Sequence, residues 1–249
     1  ATLCRRDSGK HAALDLHPEY APLFEPDSGW NWCLTNPETY VVQSELADEL
    51  WELFGKPDFF HIGCDEAEPF KCPECRVKGD AALFEKVVRF HAERFAARGV
   101  KVMMWHDMLL DKSDNRWKGF YANGWASTQA FAAKLPKNIV VCDWYYGDKK
   151  ADYSTLDYFM SLGLSVVTCG WKSYSGQLEQ GKYAREHGLL GYLGTTWAGN
   201  KRDIGAAAAA AWGTKVSPAS LQDNWRRCGQ LAGMNDYYQT GFERRQDYK

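Results

Sequence analysis

Five short apolar runs recur along the 249-residue chain, each separated from the next by a stretch of helical periodicity. They lie near Asp58 to Cys64, Val100 to Trp105, Ile139 to Trp144, Leu164 to Cys169 and Leu189 to Trp197. Near-continuous apolar runs of this length, without strict alternation, mark strands buried on both faces. Strands alternating with helices predict an α/β architecture, with a parallel sheet covered by helices. The first helix is signalled by Asn36-Pro37, a cap residue followed by a proline at the first helical position. Val42, Leu46, Leu50 and Phe54 then fall four apart on one face, and Gly55 ends the segment. Further helices are expected over Asp80 to Gly99, Thr128 to Lys134, Thr155 to Leu162 and Gln177 to His187. Two more are expected around Ala206 and over Ser220 to Leu231.

Polar and aromatic clusters follow each run: Asp65-Glu66, His106-Asp107, Tyr145-Tyr146, Trp171-Lys172 and Trp197. In a (β/α)8 barrel the loops at the C-terminal strand ends converge on the active site. Enrichment at that one edge is harder to explain by core packing. The expected fold is therefore of the (β/α)8 barrel type, with about five C-terminal β/α units visible. Residues 1–215 form the barrel portion and 216–249 a C-terminal helical segment.

Composition narrows the function classes. A net charge of −2 offers no basic field for a polyanion, so nucleic acid is not an expected partner. No run reaches the roughly 18 to 20 apolar residues of a membrane span. Ala1 to Lys10 carries no apolar h-region of a signal peptide, and localisation stays open. Eleven tryptophans suit a large core or a pocket for a ligand with flat faces, such as a sugar. Trp51, Trp212 and Trp225 lie in helical segments and read as packing.

The sharpest local signal is Phe59-Phe60-His61-Ile62-Gly63-Cys64-Asp65-Glu66, an apolar strand running straight into two carboxylates. Strand neighbours face opposite ways, so both acids reach one pocket only if the backbone turns there. Gly63 permits such a bend.

His61-x-Gly63-x-Asp65-Glu66 resembles the H-x-G-x-D-E signature of the glycoside hydrolase family 20 β-N-acetylhexosaminidases. Trp105-x-Asp107 is similar to the family's W-x-D/E, and Tyr146-x-Asp148 to its Y-x-D. Trp197 stands where the family places a pocket tryptophan. Cys64 within the signature resembles the hexosaminidase D branch. The order and spacing agree from about residue 11 to 200.

The resemblance implies a retaining, exo-acting enzyme in which the substrate's 2-acetamido oxygen is the nucleophile, an exception to the two-carboxylate scheme. It assigns Glu66 as general acid and then general base. It assigns Asp65 to the acetamido N–H and the developing oxazolinium charge, and Tyr146 to the acetamido carbonyl oxygen. His11, in Gly9-Lys10-His11, is the counterpart of a histidine that orients the acid. Trp105, Trp144, Trp171 and Trp197 become candidate walls. His61, Asp107 and Asp148 join the substrate-binding set, with His61 supporting the acids and the two aspartates also able to cap helices. The partner is a glycan or glycoconjugate with a terminal N-acetylhexosamine, and no cofactor is expected.

Two departures shape the reading. The family often has Trp-x-Glu after the last strand, whereas this chain has Gly199. The choice between glucosaminide and galactosaminide therefore stays open. The signature belongs on the fourth barrel strand, yet only 60 residues precede His61. The chain thus reads as the C-terminal five-eighths of a barrel, with a sheet edge at the strand near residue 58 that is either exposed or covered by a partner segment. A non-catalytic sugar-binding barrel or an incomplete domain is the alternative. A metal-dependent hydrolase using His61, Asp65 and the cysteines lacks an H-x-H pair.

The remaining motif is Cys72-Pro73-Glu74-Cys75, with Cys64 upstream. A structural zinc needs four ligands, and one pair plus one cysteine falls short unless a residue such as His91 joins. The reading is reduced thiols in a loop lining the site, with no metal assigned and a zinc site or a disulfide as the alternatives. Cys142 and Cys169, inside apolar runs, read as buried free thiols.

Overall fold

The computed structural model describes residues 6–7, 10–11, 14–26, 30–146, 152–195 and 204–214. The C-terminal helix expected over Ser220 to Leu231, Trp225 and the 216–249 segment lie outside them. The elements are β1 (Arg6–Asp7), β2 (Lys10–His11), α1 (Pro37–Leu53), β3 (Phe59–His61), α2 (Pro73–Lys78), α3 (Asp80–Ala96) and β4 (Lys101–Trp105). They continue with α4 (Ala126–Ala132), β5 (Ile139–Trp144), α5 (Ser154–Ser161), β6 (Ser165–Gly170), α6 (Tyr174–Glu186), β7 (Gly191–Gly194) and α7 (Ile204–Trp212). β1 and β2 form a small antiparallel pair. The other five strands make one sheet in chain order, β3-β4-β5-β6-β7. This is the (β/α) arrangement the five apolar runs predict. Among the described residues it does not close into an eight-stranded barrel.

The chain divides into two compact units. The first comprises residues up to Tyr145 together with Asp152–Thr168, and the second holds Tyr146–Ala151 and everything from Cys169 onward. In the first unit β3, β4 and β5 pair in parallel, with Phe59 opposite Lys101 and Val102 opposite Ile139. Burial explains why these strands read as unbroken apolar runs. Ile139 to Asp143 are all buried, as are Val102 and Met104. Helix α3 covers the sheet through Val88, Ala92 and Phe95, and Phe95 stacks on Phe60 with centroids 4.4 Å apart. β3 pairs only with β4 among the described residues, and its first residue, Phe59, is exposed. That is the sheet edge expected near residue 58.

Helix α1 starts as its sequence signal requires. Asn36 is the cap, its side chain accepts the Glu38 N–H at 3.0 Å, and Pro37 fills the first helical position. The buried stripe differs from the expected one at its end. Thr39, Val42, Gln43 and Ala47 are buried, whereas Phe54 lies past the last turn and is exposed. In the second unit α6 and α7 pack closely, and a side chain on Gly181 would meet the Ala210 carbonyl. Trp212 is 77% exposed, so it is not the packing residue its helical position suggests.

Candidate active site

The end of β3 is built by backbone geometry. Ile62 N–H donates to the Met103 carbonyl and Trp105 N–H to the Gly63 carbonyl, both at 2.9 Å, which extends the pairing with β4. The chain then enters left-handed conformations: Gly63 at φ +71°, Cys64 at +69° and Glu66 at +46°. Only the glycine does so freely. Each non-glycine costs about 1–2 kcal/mol there. The turn breaks strand alternation at the two acids. Asp65 is buried and Glu66 half-buried. Asp65 Oδ1 has no hydrogen-bond partner among the described residues. A buried carboxylate oxygen left so is an acceptor in want of a donor.

The peptide groups of Glu66 are held from two sides. Its N–H donates to Asp107 Oδ2 at 2.8 Å, and its carbonyl accepts the Trp30 indole N–H at 2.7 Å. Next along the chain, Asn31 Nδ2 donates to the Glu68 carbonyl. Asp107 is fully buried. Its Oδ2 also accepts from Asn123 Nδ2 at 2.9 Å, and its Oδ1 from Trp144 Nε1 at 3.3 Å. Burial pushes its carboxyl up to about 6, with Asp65 adding to the rise, while His106 and the donated hydrogen bonds oppose it.

Aromatic rings surround this cluster. Trp105 is buried against the His61 ring, with centroids 4.4 Å apart. Trp144 is half-buried and stacks on Tyr121 at 4.2 Å. His106 Nδ1 accepts the Trp144 backbone N–H at 3.2 Å, and its Nε2 faces the buried Asp143 at 3.7 Å. His61 Nδ1 accepts the Gly63 N–H at 2.9 Å. Its other nitrogen is without a partner among the described residues, and the ring lines a cavity of about 230 Å³ shared with Gln43, Leu50, Phe84 and His91. His61 therefore fixes the turn before the acids and faces helices α1 and α3.

The second unit carries Tyr146 and Trp171. The Tyr146 hydroxyl lies 3.4 Å from Thr195 Oγ1, and the Thr195 hydroxyl also donates to the Gly170 carbonyl at 2.9 Å. The Trp171 ring meets Tyr146 edge-on at 5.3 Å, and Lys172 Nζ sits 3.7 Å from the Trp171 ring centroid. Asp148 and Trp197 lie outside the described residues. His11 is placed only as backbone, in β2.

The structure thus brings Asp65, Glu66, Asp107, Trp105, Trp144 and His61 together in one unit, and Tyr146 and Trp171 in the other. Trp30, Asn123, Asp143 and Tyr121 belong to the first group and carried no sequence signal beyond type, whereas His106 stood in the cluster after the second apolar run. The cysteine expectation needs correction. Cys64 Sγ donates to the Ile62 carbonyl at 3.7 Å and stays apart from Cys72 and Cys75, whose third sulfur neighbour is Cys33. His91 hydrogen-bonds Gln43 at 3.1 Å instead of joining the thiols. Cys142 and Cys169 are buried and in no disulfide, as expected.

A strand-order parallel sheet with an acid pair at a strand end and aromatic rings beside it defines a β/α-barrel-type domain. The profile of the glycosyl hydrolase family 20 catalytic domain matches residues 21–218, and the chain belongs to that family. Among solved structures it is similar to the β-N-acetylhexosaminidase of Bacteroides fragilis NCTC 9343, with a TM-score of 0.53 and 20% identity. That match covers 88% of this chain and 49% of the other. It is also similar to the Flavobacterium johnsoniae chitobiase FjGH20, with a TM-score of 0.53 and 19% identity, covering 85% of this chain and 36% of that one. The chain therefore spans about half of the first and about a third of the second. No curated protein sequence matches it. Among the described residues no helix is long and apolar enough to cross a membrane.

Proposed function

We propose that the chain carries the acid pair of a retaining, exo-acting β-N-acetylhexosaminidase working by substrate assistance. The observation that carries this reading is the left-handed turn at residues 63–66. It buries Asp65 with an acceptor oxygen unused among the described residues, beside an acid whose peptide is fixed on both sides. Asp65 accepts the acetamido N–H and holds the carbonyl oxygen on course for the anomeric carbon. Glu66 gives its proton to the departing glycosidic oxygen as that carbonyl oxygen bonds to the carbon, forming an oxazolinium. The resulting carboxylate then takes a proton from water as the water opens the ring, and the acid is restored. In the first unit the indoles of Trp105 and Trp144 are the proposed walls for the sugar, and the family resemblance assigns Tyr146 to the acetamido oxygen and Trp171 and Trp197 to further walls. Fixed dipoles and charges of this kind act most strongly where water is excluded. Asp107, with its oxygens committed to three protein donors, positions Glu66 rather than binding sugar.

Hydrolysis of an aryl N-acetyl-β-glucosaminide and its galacto counterpart tests the reading. Glu66→Gln lowers kcat by about 10²–10⁴, and a better aryl leaving group restores much of the loss. Tyr146→Phe lowers kcat with a small change in KM. Unchanged turnover in Glu66→Gln overturns the assignment. Calorimetric binding of N-acetylglucosamine without turnover by the wild type would make the chain a sugar-binding module instead.

A further inference from the structure

Outside the acid pair, the first unit gathers three sulfurs and a carboxylate at one point. Cys33 Sγ lies 3.7 Å from Cys72 Sγ and 3.8 Å from Cys75 Sγ. One ligand atom from each of Glu25, Cys33, Cys72 and Cys75 falls within 4.8 Å of all the others. No disulfide joins them. A disulfide would need sulfurs about 2.05 Å apart. Four ligands around zinc at about 2.3 Å place sulfurs about 3.8 Å from one another, the edge of a tetrahedron. The two measured separations match that edge.

Glu25 supplies the independent observation. It is 4% exposed, and its Oε1 has no hydrogen-bond partner among the described residues. Its Oε2 accepts the backbone N–H groups of Lys71 and Cys72, at 2.5 and 2.7 Å, which fixes the carboxylate against the loop that bears the cysteine pair. The ammonium of Lys71 pairs with Glu68 at 3.8 Å. A buried carboxylate beside three thiols is costly unless a cation joins it.

The surroundings resemble a ligand shell. Cys72 caps α2 and its sulfur accepts the Cys75 N–H at 3.2 Å. The Thr35 hydroxyl lies 3.3 to 3.9 Å from the three sulfurs. Such donors orient thiolates and temper their charge. Cys72 is partly exposed, which gives an entry path.

We propose that Glu25, Cys33, Cys72 and Cys75 bind one structural zinc ion. Four protein ligands leave no open position, so the ion clips structure and takes no part in the chemistry. The clip joins two segments that also meet at the acid: Trp30 and Asn31 lie between Glu25 and Cys33 and hold the carbonyls of Glu66 and Glu68. Metal binding therefore stiffens the loop that carries Glu66.

Elemental analysis of the full chain, purified without chelator or histidine tag, tests this directly. One zinc per chain is expected, and Cys64→Ala retains it. Cys75→Ser releases it, and Glu25→Gln weakens zinc affinity at least about tenfold. A misfolded Cys75→Ser variant would also lose zinc, so the wild type is stripped of metal and refilled with cobalt. A sulfur-to-cobalt charge-transfer absorption and intense tetrahedral ligand-field bands are then expected. Folded wild type that takes up no stoichiometric zinc, or a cobalt spectrum without thiolate character, overturns the proposal. None of these readouts depends on turnover.

Discussion

Cys64 and Glu66 occupy backbone angles that L-residues avoid, and no local preference of cysteine or glutamate accounts for it. The strain is held by long-range bonds from Asp107 and Trp30 to the Glu66 peptide groups. Asp107 is thus the residue on which acid placement depends. Asp107→Asn turns one of its oxygens into an amide donor facing another donor. We expect kcat to fall about 10–100-fold with KM little changed, measured on an aryl glycoside. The variant also isolates a pH effect. In the fold the Asp107 carboxyl titrates near 6, above the ordinary 3.8 of the unfolded chain. Between those values the unfolded chain has already ionised while the folded one keeps its proton. The wild type therefore loses stability relative to Asp107→Asn as pH rises from about 4 to about 6, by at most about 3 kcal/mol, and the difference is flat above. Urea melts of both proteins across this range check the sign. The acid pair was legible in the sequence because its type and place follow from one strand. Trp30, Asn123 and Asp143 were not, because their roles rest on contacts between distant segments that no local pattern encodes. Cys33 escaped for the same reason, since its sulfur partners stand 39 and 42 positions away.

At the level of elements, all five strands of the main sheet were readable. Double-sided burial writes itself into composition as an unbroken apolar run. Helix α1 was readable from its cap and proline, and α3 to α7 from their apolar faces. The six-residue α2 was not, since barely two turns give periodicity nothing to repeat. Its signal was the cysteine pair, whose first member caps it. Another element contact invisible in sequence is the α6–α7 approach at Gly181. There the glycine matters for space alone, because a methyl group would strike the Ala210 backbone carbonyl, which cannot rotate away. Gly181→Ala should destabilise the second unit by about 1–3 kcal/mol. Thermal melts read the loss, and hydrogen exchange should show it concentrated in α6, α7 and β7.

For the whole molecule, a net charge of −2 and the uncharged sugar of the proposed activity leave little long-range electrostatics to screen. The KM for an aryl N-acetylhexosaminide should stay within about twofold from low to high salt, in contrast to the steep losses of proteins that bind polyanions. Steady-state kinetics across a salt series measures this. The β3 edge, which among the described residues pairs only with β4, has its own bearing on solution behaviour. Unpaired strand edges invite strands from other molecules, and short length and lysine are the usual protections. β3 is three residues long, and Lys101 on its neighbour sets an ammonium 5.8 Å from the ring of the exposed Phe59. A stray strand would gain few hydrogen bonds there and would have to strip water from a charge. Among the described residues, the β3 edge is thereby a poor template for self-association.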